Sequence, residues 1–91
     1  MELNELIDGV RSGTYAAILF TQKNCGWCEK MKESIIDLDI PASEVVADSE
    51  LINTFKLEVT PTLMITSDSD IKRISGFMNP EDLKKSIRDL H

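Results

Sequence analysis

The segment Tyr15–Phe20 is an uninterrupted run of apolar residues with the length of a single strand. A strand with one face in water alternates polar and apolar side chains, whereas a continuous apolar run is typical of a strand covered on both faces, as in a parallel sheet. Helices packed on the two faces of a sheet provide such cover. The sequence therefore predicts an α/β fold with a buried strand at residues 15–20.

Helical and strand patterns alternate along the rest of the chain. Apolar residues at i, i+3, i+4 and i+7 identify the amphipathic helices, and proline and capping residues mark their ends. Ser67–Asp70 is rich in turn-forming residues and lies between two short strand patterns, which predicts a hairpin. The other predicted elements are a helix ending near Ser12-Gly13, a helix carrying Cys28 to Leu38, a strand at Glu44–Ala47, a helix capped by Asp48 or Ser49, hairpin strands at Pro61–Thr66 and Ile71–Ser75, and a last helix opened by Asn79-Pro80.

This order of elements predicts a small mixed four-stranded sheet with helices on both faces. A strand–helix–strand unit is right-handed and joins parallel strands, so the first two strands are expected to be parallel. The C-terminal hairpin adds two antiparallel strands. At 91 residues, and without a linker-like or repetitive segment, the whole chain (1–91) is expected to form a single domain.

The charge and hydropathy of the chain argue against several kinds of partner. A net charge of −6 is repelled by phosphate backbones, so no nucleic-acid partner is expected. The first residues are acidic, and the apolar run at 16–20 is shorter than the roughly 7–15 residues of a signal-peptide core or the about 20 of a membrane span. We therefore expect a cytoplasmic protein that is monomeric and does not bind membranes.

The only two cysteines of the chain, Cys25 and Cys28, follow the predicted strand and open a helix. A disulfide across so short a loop stabilises a fold little compared with the roughly 3 kcal/mol of a 15-residue loop, so the pair is expected to perform chemistry. The unpaired N–H groups of a helix start stabilise a thiolate, which predicts a lowered pKa for Cys25 and the role of nucleophile. Cys28 belongs to the inward face and is predicted to be the less exposed, resolving thiol.

A CxxC pair is also half of a zinc site, which is the alternative that the residues themselves leave open. Zinc requires four ligands, and the one other soft or imidazole ligand in the chain is His91, the last residue. A second chain or an external ligand would have to complete such a site. The position of the pair beside a strand–helix–strand pattern favours redox chemistry, for which no metal or organic cofactor is expected.

Three segments together resemble the thioredoxin superfamily, and the resemblance covers nearly the whole chain. Cys25-Gly26-Trp27-Cys28 is similar to the family's active-site motif, Val59–Leu63 to its cis-proline loop, and Ser75-Gly76-Phe77 to the glycine turn before its last helix. The resemblance implies a thioredoxin-like fold, a cis peptide bond between Thr60 and Pro61, and thiol–disulfide oxidoreductase activity on protein disulfides. The substrate-binding residues that it implies are Gly26, Trp27, Thr60, Pro61 and Gly76.

The chain also departs from the patterns of this family. Leu19 stands where thioredoxins carry a buried Asp that helps to take the proton from the resolving thiol. Glu44 and Asp48 are candidate replacements, although nothing in the sequence directs them at Cys28. Gly76 stands alone where glutaredoxins carry a Gly-Gly turn for glutathione. The chain begins at the first predicted helix, without the additional N-terminal strand of full-length thioredoxins.

These departures leave three functions open. The first is a thioredoxin-like reductase that receives electrons from a thioredoxin reductase and NADPH, and the second is a glutaredoxin that is reduced by glutathione. The third is a non-catalytic binding module that holds a partner with a surface around Trp27 and Pro61. Trp27 is predicted to be exposed, whereas Phe77 and Met78 fit a docking edge and a core position equally well.

Overall fold

The computed structural model describes residues 1–90, which contain four helices and four strands. The elements are α1 (Leu3–Ser12), β1 (Ala16–Thr21), α2 (Gly26–Asp37), β2 (Ser43–Val46), α3 (Ser49–Phe55), β3 (Thr62–Thr66), β4 (Ile71–Ser75) and α4 (Pro80–Arg88). Every predicted element is present in the predicted order, with small shifts at the ends. None of the helices in this range is long and apolar enough to cross a membrane.

The four strands form one mixed sheet in the order β2-β1-β3-β4. β1 and β2 are parallel, with Ile18 opposite Ser43, and β3 is antiparallel to both β1 and β4. The predicted fold class, in which two parallel strands are extended by an antiparallel hairpin, is confirmed. Because β1 has a hydrogen-bonded neighbour on each side, its C-terminal end is held in the middle of the sheet.

Apolar side chains cover both faces of the sheet. On one face, Leu19 and Leu63 pack in a larger cluster with side chains of α1, α2 and α4. On the other face, Phe20 and Met64 form a smaller cluster to which α3 contributes. Successive residues of β1 and β3 therefore enter opposite clusters, which explains the apolar run in β1. The buried members of the larger cluster are Leu6, Ala17, Leu19, Met31, Ile35, Ile40, Leu63, Ile65, Ile74, Leu83 and Ile87.

The second strand lies one residue earlier than the sequence predicts. It spans Ser43–Val46 instead of Glu44–Ala47. The Ala47 N–H nevertheless donates a hydrogen bond of 2.7 Å to the Thr21 carbonyl oxygen, which continues the contact between the strands past the end of β2. This bond fixes the end of β1, from which the cysteine segment departs.

Gly9 allows α1 to pack closely against Tyr15. A Cβ atom at Gly9 would overlap with the Cδ2 and Cε2 atoms of the Tyr15 ring. The Gly9 carbonyl oxygen also accepts a 3.0 Å hydrogen bond from the Tyr15 N–H, which limits how far the ring can withdraw. We expect Gly9→Ala to lower the free energy of unfolding by about 1–3 kcal/mol, the usual cost of overpacking, as measured by urea denaturation.

Tyr15→Ala provides the control background, because it removes the ring with which the new methyl group collides. In that background we expect Gly9→Ala to raise the free energy of unfolding by up to about 1 kcal/mol, since Ala is the better helix former. An equal loss of stability in both backgrounds would show that the Tyr15 ring is not the cause.

Candidate active site

The two cysteines form a disulfide at the start of α2. Their Cα atoms are 5.2 Å apart, within the usual range for bridged cysteines. Cys28 is buried, with 1% of its surface exposed, whereas Cys25 is partly exposed. As predicted, Cys28 is the less exposed of the two sulfurs, and Cys25 is the one that an external partner can reach.

The first turn of α2 directs backbone N–H groups at Cys25. Cys25 is the N-cap of the helix, and its Sγ atom accepts a 3.2 Å hydrogen bond from the Cys28 N–H. The Glu29 N–H donates to the Cys25 carbonyl oxygen at 3.3 Å and closes the turn. N–H groups in a first helical turn carry partial positive charge, so they stabilise a thiolate on Cys25 once the disulfide is reduced.

The loop before β3 lies against Cys25, and the Thr60–Pro61 peptide bond within it is cis. The Cys25 Sγ atom is 3.9 Å from both the carbonyl oxygen and the hydroxyl oxygen of Thr60. The Pro61 ring is fully buried, and the Pro61 carbonyl oxygen accepts a 2.8 Å hydrogen bond from the Gly76 N–H. Gly76 has a φ of +87°, which favours glycine. The three segments singled out in the sequence therefore meet at one end of the sheet.

Trp27 is exposed, as predicted, with 58% of its surface accessible. Its ring centroid lies 5.2 Å from that of Phe77 and 4.9 Å from the Lys30 Nζ atom. Phe77 and Met78 are partly buried and pack against the larger cluster, so Phe77 contacts both the core and the exposed Trp27. The aromatic cleft, a shallow depression of about 320 Å³ on this side of Cys25, is lined by Trp27, Thr60, Gly76 and Phe77.

A second depression, the large cleft, has a volume of about 870 Å³ and is lined by residues 22–25, residues 46–49, Ile52 and Thr60. Cys25 is one of its lining residues, and Thr60 lines both clefts. Gln22, Val46 and Ile52 line this cleft with Cys25, although the sequence does not predict them as site residues. No local pattern marks Val46 and Ile52, because only the pairing of β2 with β1 brings residues 46–52 beside the cysteine segment. Gln22 is close to Cys25 in sequence, but its hydrogen-bond partner Thr60 lies 38 positions away.

Leu19 is 2% exposed and belongs to the larger cluster, so an apolar side chain fills this position on β1. Thr21 follows on the same face of the strand and is also buried, with 2% of its surface exposed. Its hydroxyl group donates a 2.9 Å hydrogen bond to a Glu44 carboxylate oxygen, and the Lys32 Nζ atom lies 3.3 Å from the same oxygen. The bond from Thr21, followed by that from Lys32, lowers the pKa of Glu44.

The two carboxylates considered as replacements for the missing Asp are bonded to other groups. Glu44 contacts Thr21 and Lys32, and its lowered pKa makes it a weaker base. The Asp48 carboxylate is the N-cap of α3 and accepts a 2.9 Å hydrogen bond from the Leu51 N–H. Within residues 1–90, neither carboxylate is hydrogen-bonded to Cys28.

The described part of the chain contains no group of three or more His, Cys, Asp or Glu side chains arranged to hold a metal ion. His91, the additional ligand considered for zinc, lies outside the described residues. The two cysteine sulfurs are bonded to each other, and a cysteine ligates zinc as a free thiolate.

Comparisons with known proteins find similarity in structure only. No protein-family model matches the chain, and no curated protein matches its sequence. Oxidised thioredoxin O2 from Arabidopsis thaliana superposes with a TM-score of 0.65 at 24% identity, over 96% of this chain and 84% of that one. For poplar thioredoxin h the TM-score is 0.67 at 21% identity, over 97% of this chain and 88% of the poplar chain. For thioredoxin f2 from Chlamydomonas reinhardtii the TM-score is 0.68 at 16% identity, over 97% of this chain and 91% of the algal chain.

These superpositions and the sheet order define the class of the protein: it has a thioredoxin-like fold. The resemblance noted in the sequence is confirmed for the fold. Within that class, the chain carries its disulfide as Cys25-Gly26-Trp27-Cys28 at the start of α2. Because one fold supports many functions, the activity has to be inferred from the site.

The contact between Thr21 and Glu44 contributes to stability in a pH-dependent way. The pKa of Glu44 is lower in the folded protein, so its stabilisation is present above the ordinary carboxyl pKa and is lost as the pH falls through the folded value. We expect Thr21→Val to raise the pKa of Glu44 toward its ordinary value. We also expect it to lower the free energy of unfolding by about 1 kcal/mol at neutral pH, with a smaller difference in acid. NMR titration and urea denaturation measure the two effects.

Thr66→Val is the matched control, because it makes the same chemical change at the opposite end of the sheet, where Thr66 faces Ala16. It should leave the pKa of Glu44 unaltered. If Thr21→Val also left that pKa unaltered, the Thr21 hydroxyl would not be what lowers it.

Proposed function

We propose that the protein is a thiol–disulfide oxidoreductase that reduces disulfides in other proteins. The observation that carries the proposal is that the two cysteines differ in exposure and in hydrogen bonding. The partly exposed Cys25 Sγ accepts a backbone N–H bond at the start of α2 and is joined to the buried Cys28. One sulfur is thereby suited to attack an external disulfide, and the other to attack the first sulfur from within.

The proposed cycle consists of two exchange steps. The Cys25 thiolate attacks one sulfur of the substrate disulfide, and the other substrate sulfur leaves as a thiolate that takes up a proton. Cys28 then loses its proton and attacks the Cys25 sulfur, and the second substrate sulfur leaves as a thiolate that also takes up a proton. The substrate gains two electrons and two protons, and Cys25 and Cys28 end in the disulfide that is present in the structure. The cycle uses no metal or organic cofactor.

We place the substrate across Thr60, between the two clefts. The Thr60 carbonyl oxygen is 3.9 Å from Cys25 Sγ, so an extended segment paired with the Thr60 backbone would have its disulfide next to the nucleophile. Trp27 and Gly76 border this position from the aromatic cleft. Gly26 leaves open space beside the cysteine pair. Pro61 is fully buried, so its role is to support the loop beneath the substrate.

We propose a thioredoxin reductase with NADPH as the electron donor. The fold matches those of several thioredoxins, and Gly76 stands alone where a glutathione-binding turn has two glycines. A glutaredoxin reduced by glutathione is the second candidate, favoured by the large cleft beside Cys25, which has room for a small thiol. A reducing compartment such as the cytoplasm suits either donor, and we propose that the protein acts there as a monomer.

Substitution of each cysteine separates the two roles. We expect Cys25→Ser to abolish disulfide reduction, because the attacking sulfur is lost. Cys28→Ser should still react once and should then accumulate a mixed disulfide with the substrate, which non-reducing electrophoresis and mass spectrometry detect. If Cys28→Ser failed to react while Cys25→Ser formed the mixed disulfide, the two roles would be reversed.

Coupled turnover identifies the electron donor. The oxidised protein and a disulfide substrate are offered NADPH with thioredoxin reductase, or glutathione with glutathione reductase, and NADPH consumption is followed. We expect turnover with the first pair, and turnover only with the second would establish the glutaredoxin alternative. No turnover with either donor, together with partner binding that survives serine at both cysteines, would establish a binding module.

A further inference from the structure

Gln22, which the proposed cycle does not use, is hydrogen-bonded to the hydroxyl group beside the nucleophile. Thr60 Oγ1 donates a 2.8 Å bond to Gln22 Oε1 and lies 3.9 Å from Cys25 Sγ. The bond joins two segments that are 38 residues apart in the chain, the end of β1 and the loop before β3. Gln22, Thr60 and Cys25 therefore form a connected row of side chains along the large cleft.

The Thr60 hydroxyl group has a single proton, and it donates this proton in a hydrogen bond to Gln22. A hydroxyl donates one hydrogen bond and accepts through its lone pairs. Because the proton points to Gln22 Oε1, the Thr60 oxygen presents only lone pairs to Cys25. After reduction, this oxygen can accept a bond from a Cys25 thiol, but it has no proton to offer to a Cys25 thiolate.

Two neighbours of Cys25 thus favour opposite protonation states. The Cys28 N–H, 3.2 Å from Cys25 Sγ, favours the thiolate. The Thr60 oxygen favours the thiol as long as the Thr60 hydroxyl group donates its hydrogen bond to Gln22. We propose that Gln22 is a positioning residue that keeps the Thr60 hydroxyl proton away from Cys25 and thereby limits the fraction of Cys25 present as thiolate.

This arrangement biases the direction of electron flow, a consequence that rests on the proposed oxidoreductase function. A stabilised thiolate stabilises the reduced form of a cysteine pair and makes it a stronger oxidant. By limiting the thiolate, Gln22 keeps the Cys25–Cys28 pair a stronger reductant. The chain therefore contains a side chain, outside the CxxC motif, that adjusts the pair toward giving electrons to its substrate.

The first test measures the thiolate of Cys25 directly. In a Cys28→Ser background, Cys25 is the only thiol, and its rate of alkylation by iodoacetamide is followed against pH. We expect Gln22→Leu to lower the midpoint pH by about one unit, because the freed Thr60 hydroxyl can donate to the thiolate. Gln22→Glu keeps an acceptor and adds a negative charge, so it should raise the midpoint. A midpoint that Gln22→Leu leaves unchanged or raises would overturn the proposal.

Thr60→Val, made with and without Gln22→Leu, separates this role from a merely structural one. With Gln22 present, removal of the hydroxyl removes an acceptor for the thiol, and the midpoint should fall or stay constant. With Gln22→Leu, the same change removes a donor to the thiolate, and the midpoint should rise by about one unit. Thr60→Ser keeps the hydroxyl group, so it should leave the midpoint pH unchanged in both backgrounds. The same shift on Thr60→Val in both backgrounds would contradict the proposal.

Equilibration of the intact pair with a dithiothreitol redox buffer provides the second readout. We expect the disulfide of Gln22→Leu to be up to about tenfold easier to reduce than that of the parent, which corresponds to about 30 mV. If the reduction potential of Gln22→Leu were unchanged or more reducing, Gln22 would not make the pair a stronger reductant. Neither measurement needs a substrate protein or a reductase. A shifted midpoint without turnover would therefore refute the proposed function alone, and turnover without a shift would refute this inference alone.

Discussion

The double-sided burial of β1 is the constraint on which the rest of the structure depends. Its residues alternate between the two apolar clusters, and strands pair with it on both sides. Only residues 22–25 separate the end of β1 from the start of α2, so the rigid strand determines where the helix begins. Loss of the register of β1 would displace Cys25 and both clefts together.

Main-chain groups form part of the surroundings of the Cys25 sulfur. The Cys28 N–H contacts it directly, the Thr60 carbonyl oxygen lies 3.9 Å away, and the bond between the Gly76 N–H and the Pro61 carbonyl oxygen ties down the loop that carries Thr60. Every residue except proline has both an N–H and a carbonyl group, so this frame tolerates substitution at positions other than Gly76, whose φ of +87° favours glycine. Side chains such as Gln22 are then free to differ and to adjust the chemistry.

The parts of the structure that the sequence predicts are those encoded by local patterns. Apolar spacing and capping residues locate the helices and strands, and the position of the CxxC pair at a helix start predicts which sulfur is exposed. The Gln22–Thr60 and Thr21–Glu44 bonds join residues 38 and 23 positions apart, so no local pattern contains them. Phe77 could not be assigned for the same reason, because its ring contacts both a distant core and Trp27.

Trp27 is the single tryptophan of the chain, and it stands between the two cysteines. Its ring is 58% exposed and touches Phe77 on the segment before α4. All of the tryptophan emission of the protein therefore originates within two residues of both cysteines. A change in intrinsic fluorescence on reduction or on complex formation reports on this end of the molecule, without a contribution from a second indole elsewhere and without an attached dye.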